Sequence, residues 1–265
     1  YDLNDSELFD KIKQICSTFA VKNVVTHGFT ANYSRIFQYL RENNLFSGQV
    51  YWIFWGYELY NALGETGKYK LVDENSPFSK LTYIAPNPLH ALVRKIIGKH
   101  LYSENLEKVL PYFDYFCFWF PHDFELLHKY YTSHAKFKYF KYISSYKSET
   151  EKADLNISPK NVCRIMVNHQ ASLTGNHKTI FQKLSAISGI DKFEICTPLS
   201  YGSNYIRKNV LRMGKRYFGD KYNALLNLMP LNEYNNFLDS IPVAIFGTMR
   251  QEAAGNIMRL LKSGT

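Results

Sequence analysis

The second half of the chain alternates short apolar runs with longer stretches in which apolar residues recur every three or four positions. The runs predict strands, and the helical period predicts helices. The predicted strands are 162–167, 193–197 and 242–246, and the predicted helices are 176–187, 204–217, a shorter one near Glu233, and 251–262. Strands that alternate with helices of this length are typical of βαβ units, which build parallel sheets.

The first half repeats this alternation less regularly. Ser6 is a candidate N-cap, and apolar residues follow it at helical spacing as far as Phe19. A second helix is predicted at 33–42, and strands at 23–26, 49–54 and 115–120. We therefore expect an α/β protein whose ligands bind at the loops beyond the carboxyl ends of the strands.

A polar, charged segment at 144–160 separates two parts of unequal charge. Its sequence, SSYKSETEKADLNISPK, is typical of a linker or exposed loop. Residues after 150 include 15 basic and 8 acidic side chains, and so carry +7 of the net charge of +9. The sequence therefore predicts two domains, 1–150 and 151–265.

Composition excludes several classes of protein. A chain that is 46% hydrophobic and 16% aromatic is not disordered. The four cysteines (Cys16, Cys117, Cys163 and Cys196) lie far apart without a C-x-x-C pair, which argues against a disulfide scaffold or a thiolate zinc site. No apolar run reaches the roughly 18–20 residues that span a bilayer, and the first residues lack the order of a signal peptide. We expect reduced cysteines and a cytoplasmic protein.

The loop 168–177, NHQASLTGNH, is the first candidate for chemistry. It lies between a predicted strand and helix, contains no carboxylate, and offers small donors beside a helix N-terminus. Such a terminus presents free amide groups and a partial positive charge, which suit a phosphate. An ordinary capped loop fits the composition equally well. The loop matches neither the P-loop pattern nor G-x-G-x-x-G.

Two further loops follow strands in the same half. In 198–205, PLSYGSNY, Gly202 allows close backbone approach, and the tyrosines offer hydroxyls or flat faces to a sugar or base. In 248–256, TMRQEAAGN, Arg250 is a forked donor suited to phosphate, although a solvated arginine at a helix start is the alternative. The topology predicts that the three loops converge.

In the first half, His27 and Glu58 follow predicted strands. Either could accept a proton from a hydroxyl nucleophile if burial brought its pKa toward neutrality, and a structural hydrogen-bonding role is the alternative. The sequence has no Asp-x-Asp triplet, no H-x-x-x-H spacing and no Gly-x-Ser-x-Gly. A site without metal and without covalent nucleophilic catalysis is therefore expected.

The net charge and a pI near 9.2 indicate an anionic partner. Basic residues alternate with aromatic ones at 128–147, they cluster at 207–221, and 89–102 is basic and amphipathic. Such stretches suit a membrane surface or single-stranded nucleic acid, and a solvated face is the alternative.

Taken in order, these motifs resemble glycosyltransferase family 56, whose members transfer N-acetylfucosamine to a lipid-linked acceptor. The matching residues are His27-Gly28; Trp55-Gly56-Tyr57-Glu58-Leu59-Tyr60; Asn168 with Ser172-Leu173-Thr174-Gly175-Asn176-His177; Pro198-Leu199-Ser200-Tyr201-Gly202 with Tyr205-Ile206; Glu233-Tyr234; and Arg250-Gln251 with Gly255-Asn256-Ile257. The similarity covers most of the chain after Val24.

The resemblance implies a GT-B-like fold of two Rossmann-like domains facing a cleft, and a metal-independent hexosyltransferase without cofactor. It implies a nucleotide-sugar donor in the second half and a polyprenyl-diphosphate-linked glycan acceptor in the first. Donor contacts would be Asn168, Ser172, Thr174, Asn176, His177, Ser200, Tyr201, Arg250, Gln251 and Asn256. Glu58 and His27 would be candidate bases, and Gly28, Trp55, Gly56 and Tyr60 would lie on the acceptor side.

The chain also departs from the family. The usual opening strand is missing before Asp5, the chain stops at Thr265, and Val167 stands where the family has glycine. Both ends therefore look truncated.

The resemblance thus implies transfer of a deoxyamino sugar from a dTDP-sugar to a lipid-linked glycan, in bacterial cell-surface polysaccharide synthesis. The enzyme would lie on the cytoplasmic face of the inner membrane in peripheral contact with its lipid. A UDP-sugar transferase of capsule or O-antigen synthesis and a catalytically silent sugar-nucleotide sensor are alternatives. A basic nucleic-acid-binding protein is an alternative of another class, although no nucleic acid partner is expected.

Overall fold

The computed structural model describes residues 6–29, 33–73, 101–141 and 163–265. These residues form two compact units. Unit 1 contains 6–29, 33–69 and 101–141, and unit 2 contains 70–73 together with 163–265. The predicted linker at 144–160 and most of the basic segment 89–102 lie outside the described residues.

Unit 1 is a parallel sheet flanked by helices. Its strands are β1 (Asn23–His27), β2 (Gln49–Ile53), β3 (Tyr115–Phe118) and β4 (Lys136–Tyr139), and its helices are α1 (Ser6–Phe19), α2 (Tyr33–Glu42), α3 (Tyr57–Glu65), α4 (Leu101–Val109) and α5 (Pro121–Tyr130). The strand order is β1-β2-β3-β4, and all neighbours run parallel. Every strand therefore ends at the same edge of the sheet.

The core of unit 1 is aromatic. Trp52, at the centre of the sheet, is fully buried and stacks on Phe113 with ring centroids 5.1 Å apart. It also meets Phe116 and Phe54 edge-on, at 5.0 and 5.5 Å. Large rings bury much apolar area and prefer such tilted contacts. The strand β2 is thus fixed in the middle of the sheet.

Unit 2 is a second parallel sheet, with strand order β7-β6-β5-β8. Its strands are β5 (Arg164–Val167), β6 (Glu194–Pro198), β7 (Tyr222–Leu225) and β8 (Val243–Ile245), and its helices are α6 (His177–Ser185), α7 (Asn204–Phe218), α8 (Leu231–Asp239) and α9 (Ala254–Lys262). Short 3-10 turns occur at Leu173–Gly175, Ile190–Lys192 and Gly219–Lys221.

Two apolar clusters cover the sheet of unit 2. One joins β5 and β6 to α6 and α7 and includes Phe181, Ile195 and Val210. The other joins Met166 of β5 to Leu260 of α9, with α8 packed alongside. Because the side chains of a strand alternate between the faces of its sheet, β5 supplies both clusters.

The predicted α/β class and parallel sheets are confirmed, and the periodic helices begin and end within a few residues of their predicted bounds. The sequence did not predict helices α3, α4 and α5 or strands β4 and β7. Helix α3 begins at Tyr57, shortly after β2, and edge strand β4 lies in the basic stretch 128–147.

Among the described residues, no helix has the length and apolarity needed to cross a membrane.

Candidate functional site

Two asparagines of unit 2 join the loop after β5 to the loop after β8. Asn168, at φ 56°, donates from Nδ2 to Gly175 O (2.7 Å) and accepts at Oδ1 from Gly247 N (2.9 Å). Asn176, at φ 51°, donates from Nδ2 to Gly247 O (2.6 Å) and accepts at Oδ1 from the amide of Asp73 (2.7 Å). Asparagine tolerates this left-handed backbone better than most residues. Asn168 and Asn176, which were predicted to contact the nucleotide sugar, therefore bind the protein's own backbone.

The loop after β6 joins the same group. Ala171 and Gly202 form a parallel bridge, and Ala171 N donates to Tyr201 O (3.0 Å) while Ser203 N donates to Ala171 O (2.9 Å). Gly202 has φ 106°, and a Cβ there would lie 2.4 Å from Ala171 O. Only glycine allows this approach. The predicted convergence of the three loops is thus observed.

A buried carboxylate, Glu252, lies at the centre of these loops. Its side chain is 7% exposed and accepts from Gln170 Nε2 (3.3 Å), Thr174 Oγ1 (3.1 Å) and Arg250 Nε (2.9 Å), with a further contact from Arg250 Nη2. Ser172 Oγ lies 2.5 Å from Thr174 Oγ1 and extends the network. Sequence reasoning missed Glu252 although the candidate loop 248–256 contains it, because its partners Gln170 and Thr174 lie 82 and 78 residues earlier in the chain.

Two buried histidines lie in the first loop. Burial lowers the pKa of His169, whose ring lies 6.2 Å from that of Tyr201. Burial, with a smaller contribution from His169, lowers the pKa of His177 to about 3. Both rings are therefore neutral near pH 7 and can offer hydrogen bonds but no charge. His169 was not among the predicted site residues.

The other predicted donor residues lie around the same loops. Ser200 accepts at its backbone oxygen from Arg207 Nη2 (3.0 Å), and Tyr201 is 45% exposed. Asn256 Nδ2 donates to Tyr234 OH (3.0 Å), and burial raises the pKa of Tyr234 to about 12. Gln251 is half-buried.

A cavity of about 280 Å³ opens between the starts of α6 and α7. It is lined by three predicted donor residues, Ser172, Asn176 and His177, but not by Arg250. The guanidinium is turned toward Glu252, because a buried carboxylate draws the nearest forked donor. Side-chain hydrogen bonds between Ser172 and Thr174 and between Thr174 and Glu252 connect the cavity to Arg250.

In unit 1, Glu58 lies in the first turn of α3 and is 3% exposed. Burial raises its pKa to about 7, against the opposing effect of hydrogen bonds, one of them from Trp52 Nε1 at 3.2 Å. Its Oε2 has no hydrogen-bond partner among the residues that the structure describes. A Cβ on Gly28, at φ 68°, would lie 3.0 Å from Glu58 Oε1. Glycine at position 28 thus lets the backbone after β1 lie directly against the Glu58 carboxyl.

The remaining first-half residues divide into surface and core. His27 is exposed at the end of β1, with its ring 6.4 Å from that of Trp55, which is 49% exposed. Gly56, at φ 96°, precedes α3 as its cap. Tyr60 is buried and donates from its hydroxyl to Asp123 Oδ1 at 2.6 Å. Tyr60 therefore has a structural partner in Asp123, which sequence reasoning did not single out.

No protein family matches the chain at the level of sequence, and no curated protein matches it. Solved structures do match. A UDP-forming α,α-trehalose-phosphate synthase from Burkholderia xenovorans is 10% identical over 100% of this chain and 62% of its own, with a TM-score of 0.54. The same enzyme in complex with glucose-6-phosphate is 11% identical over 98% and 62%, with a TM-score of 0.51.

The synthase from Burkholderia multivorans is 10% identical over 98% of this chain and 59% of its own, with a TM-score of 0.52. The chain thus spans about 60% of the length of these synthases. Their fold is that of the GT-B glycosyltransferases, and the likeness shows that this chain has the GT-B fold. Membership of glycosyltransferase family 56 stays a prediction.

Proposed function

We propose that this chain is a glycosyltransferase that takes a sugar from a nucleotide-sugar donor held by unit 2. The observation that carries the proposal is the convergence of three polar loops at the carboxyl ends of β5, β6 and β8, with Arg250 and Glu252 among them. Ligands of parallel α/β sheets bind at this edge. The GT-B fold supports the same reaction class.

In this proposal, Arg250 stabilises the departing diphosphate. Its contacts with Glu252 use Nε and Nη2, so the Nη1 end of the fork is directed elsewhere. Developing negative charge on the leaving group is best stabilised by donors that are already in place, and Glu252 holds the guanidinium in place. The reaction needs neither a metal nor a cofactor, and the donor is a substrate.

Glu58 is the proposed base for the acceptor hydroxyl. A carboxyl with a pKa of about 7 is partly ionised at physiological pH and still basic enough to accept a proton. His27 is the rival base, since it is exposed at the neighbouring strand end. Glu58→Gln and His27→Gln separate the two, because loss of the base should cost about 10²–10⁴-fold in turnover.

Replacing Arg250 tests the donor site. In Arg250→Ala, the kcat/KM for donor turnover should fall by a factor that corresponds to about 2–4 kcal/mol. Arg250→Lys keeps the charge opposite Glu252 but loses the forked guanidinium, so its kcat/KM should fall by less. Arg216→Ala, an exposed arginine of α7, is the control and should leave turnover unchanged. Equal turnover in Arg250→Ala and Arg216→Ala would remove the assigned role.

The finer proposal is a dTDP-linked deoxyamino sugar of the N-acetylfucosamine type, transferred to a lipid-linked glycan. It is supported by the motifs that resemble glycosyltransferase family 56. A UDP-sugar donor is the second candidate, and it is favoured by the UDP-forming synthases that share the fold. Calorimetric titration with dTDP and with UDP distinguishes them, since the preferred nucleotide should bind at least tenfold more tightly.

Peripheral contact with an anionic membrane completes the proposal. Between the end of β7 and the first residue of α8, large apolar side chains are exposed, with Leu228 at 77% and Leu231, which begins α8, at 73%. Such side chains, in a unit of positive charge, suit the surface of an anionic bilayer. Replacing both leucines with Asp should reduce flotation with phosphatidylglycerol vesicles, whereas Ile187→Asp, exposed elsewhere at 54%, should not.

Nucleic acid binding is tested in the same preparation. Steeply salt-dependent binding of an oligonucleotide, without any response to nucleotide sugars, would favour the nucleic-acid alternative over the transferase.

A further inference from the structure

The cavity between α6 and α7 is lined by three of the predicted donor contacts, Ser172, Asn176 and His177, but not by Arg250, which the proposed reaction assigns to the departing diphosphate. Its volume of about 280 Å³ is at the lower end for sites that hold small molecules, about 300–1,000 Å³. Every residue that lines it belongs to unit 2. The cavity therefore lies beside the Arg250–Glu252 pair and is a candidate site of its own, whose ligand the lining residues must decide.

One side of the cavity is suited to an anion. The first three residues of α6, His177, Lys178 and Thr179, all line it. The amide groups of a first helical turn have no partner within the helix, and the side chain of the N-cap residue, Asn176, does not cap α6. On the opposite side, Arg212 of α7 lines the cavity. Asp73 is the acidic residue in the lining. Helix amides and a guanidinium together favour a phosphate.

A buried, unsatisfied atom points to a ligand at the same place. His177 is 3% exposed and lines the cavity, and its Nε2 has no hydrogen-bond partner within the described part of the chain. A buried polar atom without a partner costs free energy unless a ligand or water supplies one. The O–H of a singly ionised phosphate at the start of α6 would do so by donating to Nε2.

The other side of the cavity is apolar. Leu173, Ile206, Val210 and Met213 line it. The amide side chain that lies among them at the α6 end, Asn176, has both its atoms bonded to the protein's own backbone. This wall offers hydrocarbon contact, and Tyr205 and Asn209 are the uncharged polar residues that α7 adds to the lining.

The geometry points to a second binding site, for an amphiphilic phosphate whose phosphate lies at the start of α6 beside Arg212 and whose hydrocarbon chain lies between α6 and α7. This goes beyond the proposed function, since it needs neither donor nor acceptor sugar. A membrane lipid and a soluble isoprenyl phosphate share this chemistry.

Calorimetric titration of the full chain tests the site, with geranyl monophosphate as the probe. It should bind at least tenfold more tightly than inorganic phosphate, which lacks the chain, and than geraniol, which lacks the charge. Equal binding of inorganic phosphate would overturn the role of the apolar wall, as would equal or tighter binding of dTMP. Competition by phosphatidic acid vesicles would identify the source as a membrane lipid, and binding of the soluble probe without such competition would identify a soluble one. Both results support the site.

Two variants test the anion end. Thr179→Asp places a carboxylate in the first turn of α6, which favours the helix but repels a phosphate, so binding should fall at least tenfold while the protein stays folded. Arg212→Gln should weaken binding several-fold. Arg216→Gln, exposed on the same helix but outside the lining, is the matched control. Unchanged binding in Thr179→Asp would overturn the proposal.

Discussion

The burial of Glu58 makes the stability of unit 1 depend on pH in a predictable direction. Its pKa is raised from the ordinary 4.5 to about 7, so the folded state keeps a proton that the unfolded state has already lost. Stability should therefore fall as pH rises through this interval, and the loss is complete above the folded pKa. At about 1.4 kcal/mol for each pKa unit, the raised pKa lowers the free energy of unfolding by about 3 kcal/mol at pH 8 and by less than about 1 kcal/mol at pH 5.

Glu58→Gln removes this ionisation and keeps an oxygen that accepts from Trp52 Nε1, now 3.2 Å away. The variant introduces an amide whose cost does not change with pH. The informative quantity is thus the difference in stability between variant and wild type at pH 8 minus the same difference at pH 5. It should be about 2–3 kcal/mol in favour of the variant.

Urea unfolding followed by tryptophan fluorescence measures this quantity in unit 1, because the three tryptophans, Trp52, Trp55 and Trp119, all belong to it. Glu125→Gln, whose side chain is 70% exposed, is the control and should show no such difference. If wild type and Glu58→Gln respond equally to pH, Glu58 ionises in its ordinary range. The reasoning that makes it a base would then be wrong.

Three further predictions concern unit 2. Gly214→Ala should destabilise the protein by about 1–3 kcal/mol in thermal unfolding, because a Cβ there would lie 2.1 Å from the ring of Tyr222. Gly255→Ala is the control and should be neutral or stabilising, because a Cβ there meets nothing within 4 Å. Asn168→Ala should cost about 3 kcal/mol in urea unfolding, through a strained φ and two lost hydrogen bonds, and Asn168→Gly should recover about 1 kcal/mol of it. Burial lowers the pKa of His177 to about 3. The free energy of unfolding of unit 2 should therefore fall by about 2 kcal/mol between pH 7 and pH 5, because the unfolded state gains a proton that the folded state does not. Hydrogen exchange of α6 peptides measures this fall, and His177→Gln should abolish it.

Elements with a strong local signal were predictable. The helix α2 occupies Tyr33–Glu42 as predicted, and β2, with its alternating aromatic and β-branched residues, was placed to within a residue. The strand β7, Tyr222–Leu225, has no such signal. It forms because β6 offers a row of backbone partners, from Ile195 to Pro198, along its free edge. Pairing of this kind depends on the neighbouring strand rather than on the local sequence.

The candidate site was predictable in outline and not in its contacts. Polar loops after three strands are visible in the sequence, and parallel topology alone brings them to one edge. The partners that Asn168 and Asn176 take are not visible, because both depend on Gly247, more than 70 residues later in the chain. Glu252 was missed for the same reason, and its burial turns Arg250 toward it.

By itself, the sequence determined the helices and strands with a strong apolar period, that the sheets are parallel, and which loops of unit 2 lie at their carboxyl edge, because each follows from the period of apolar residues and the order of elements. Tertiary structure alone decided which side chains of those loops hold the backbone and which charges are neutralised. It also raised the pKa of Glu58 to about 7 and opened a cavity beside α6. Burial and long-range hydrogen bonds arise from contacts between residues distant in sequence, and no local pattern records them.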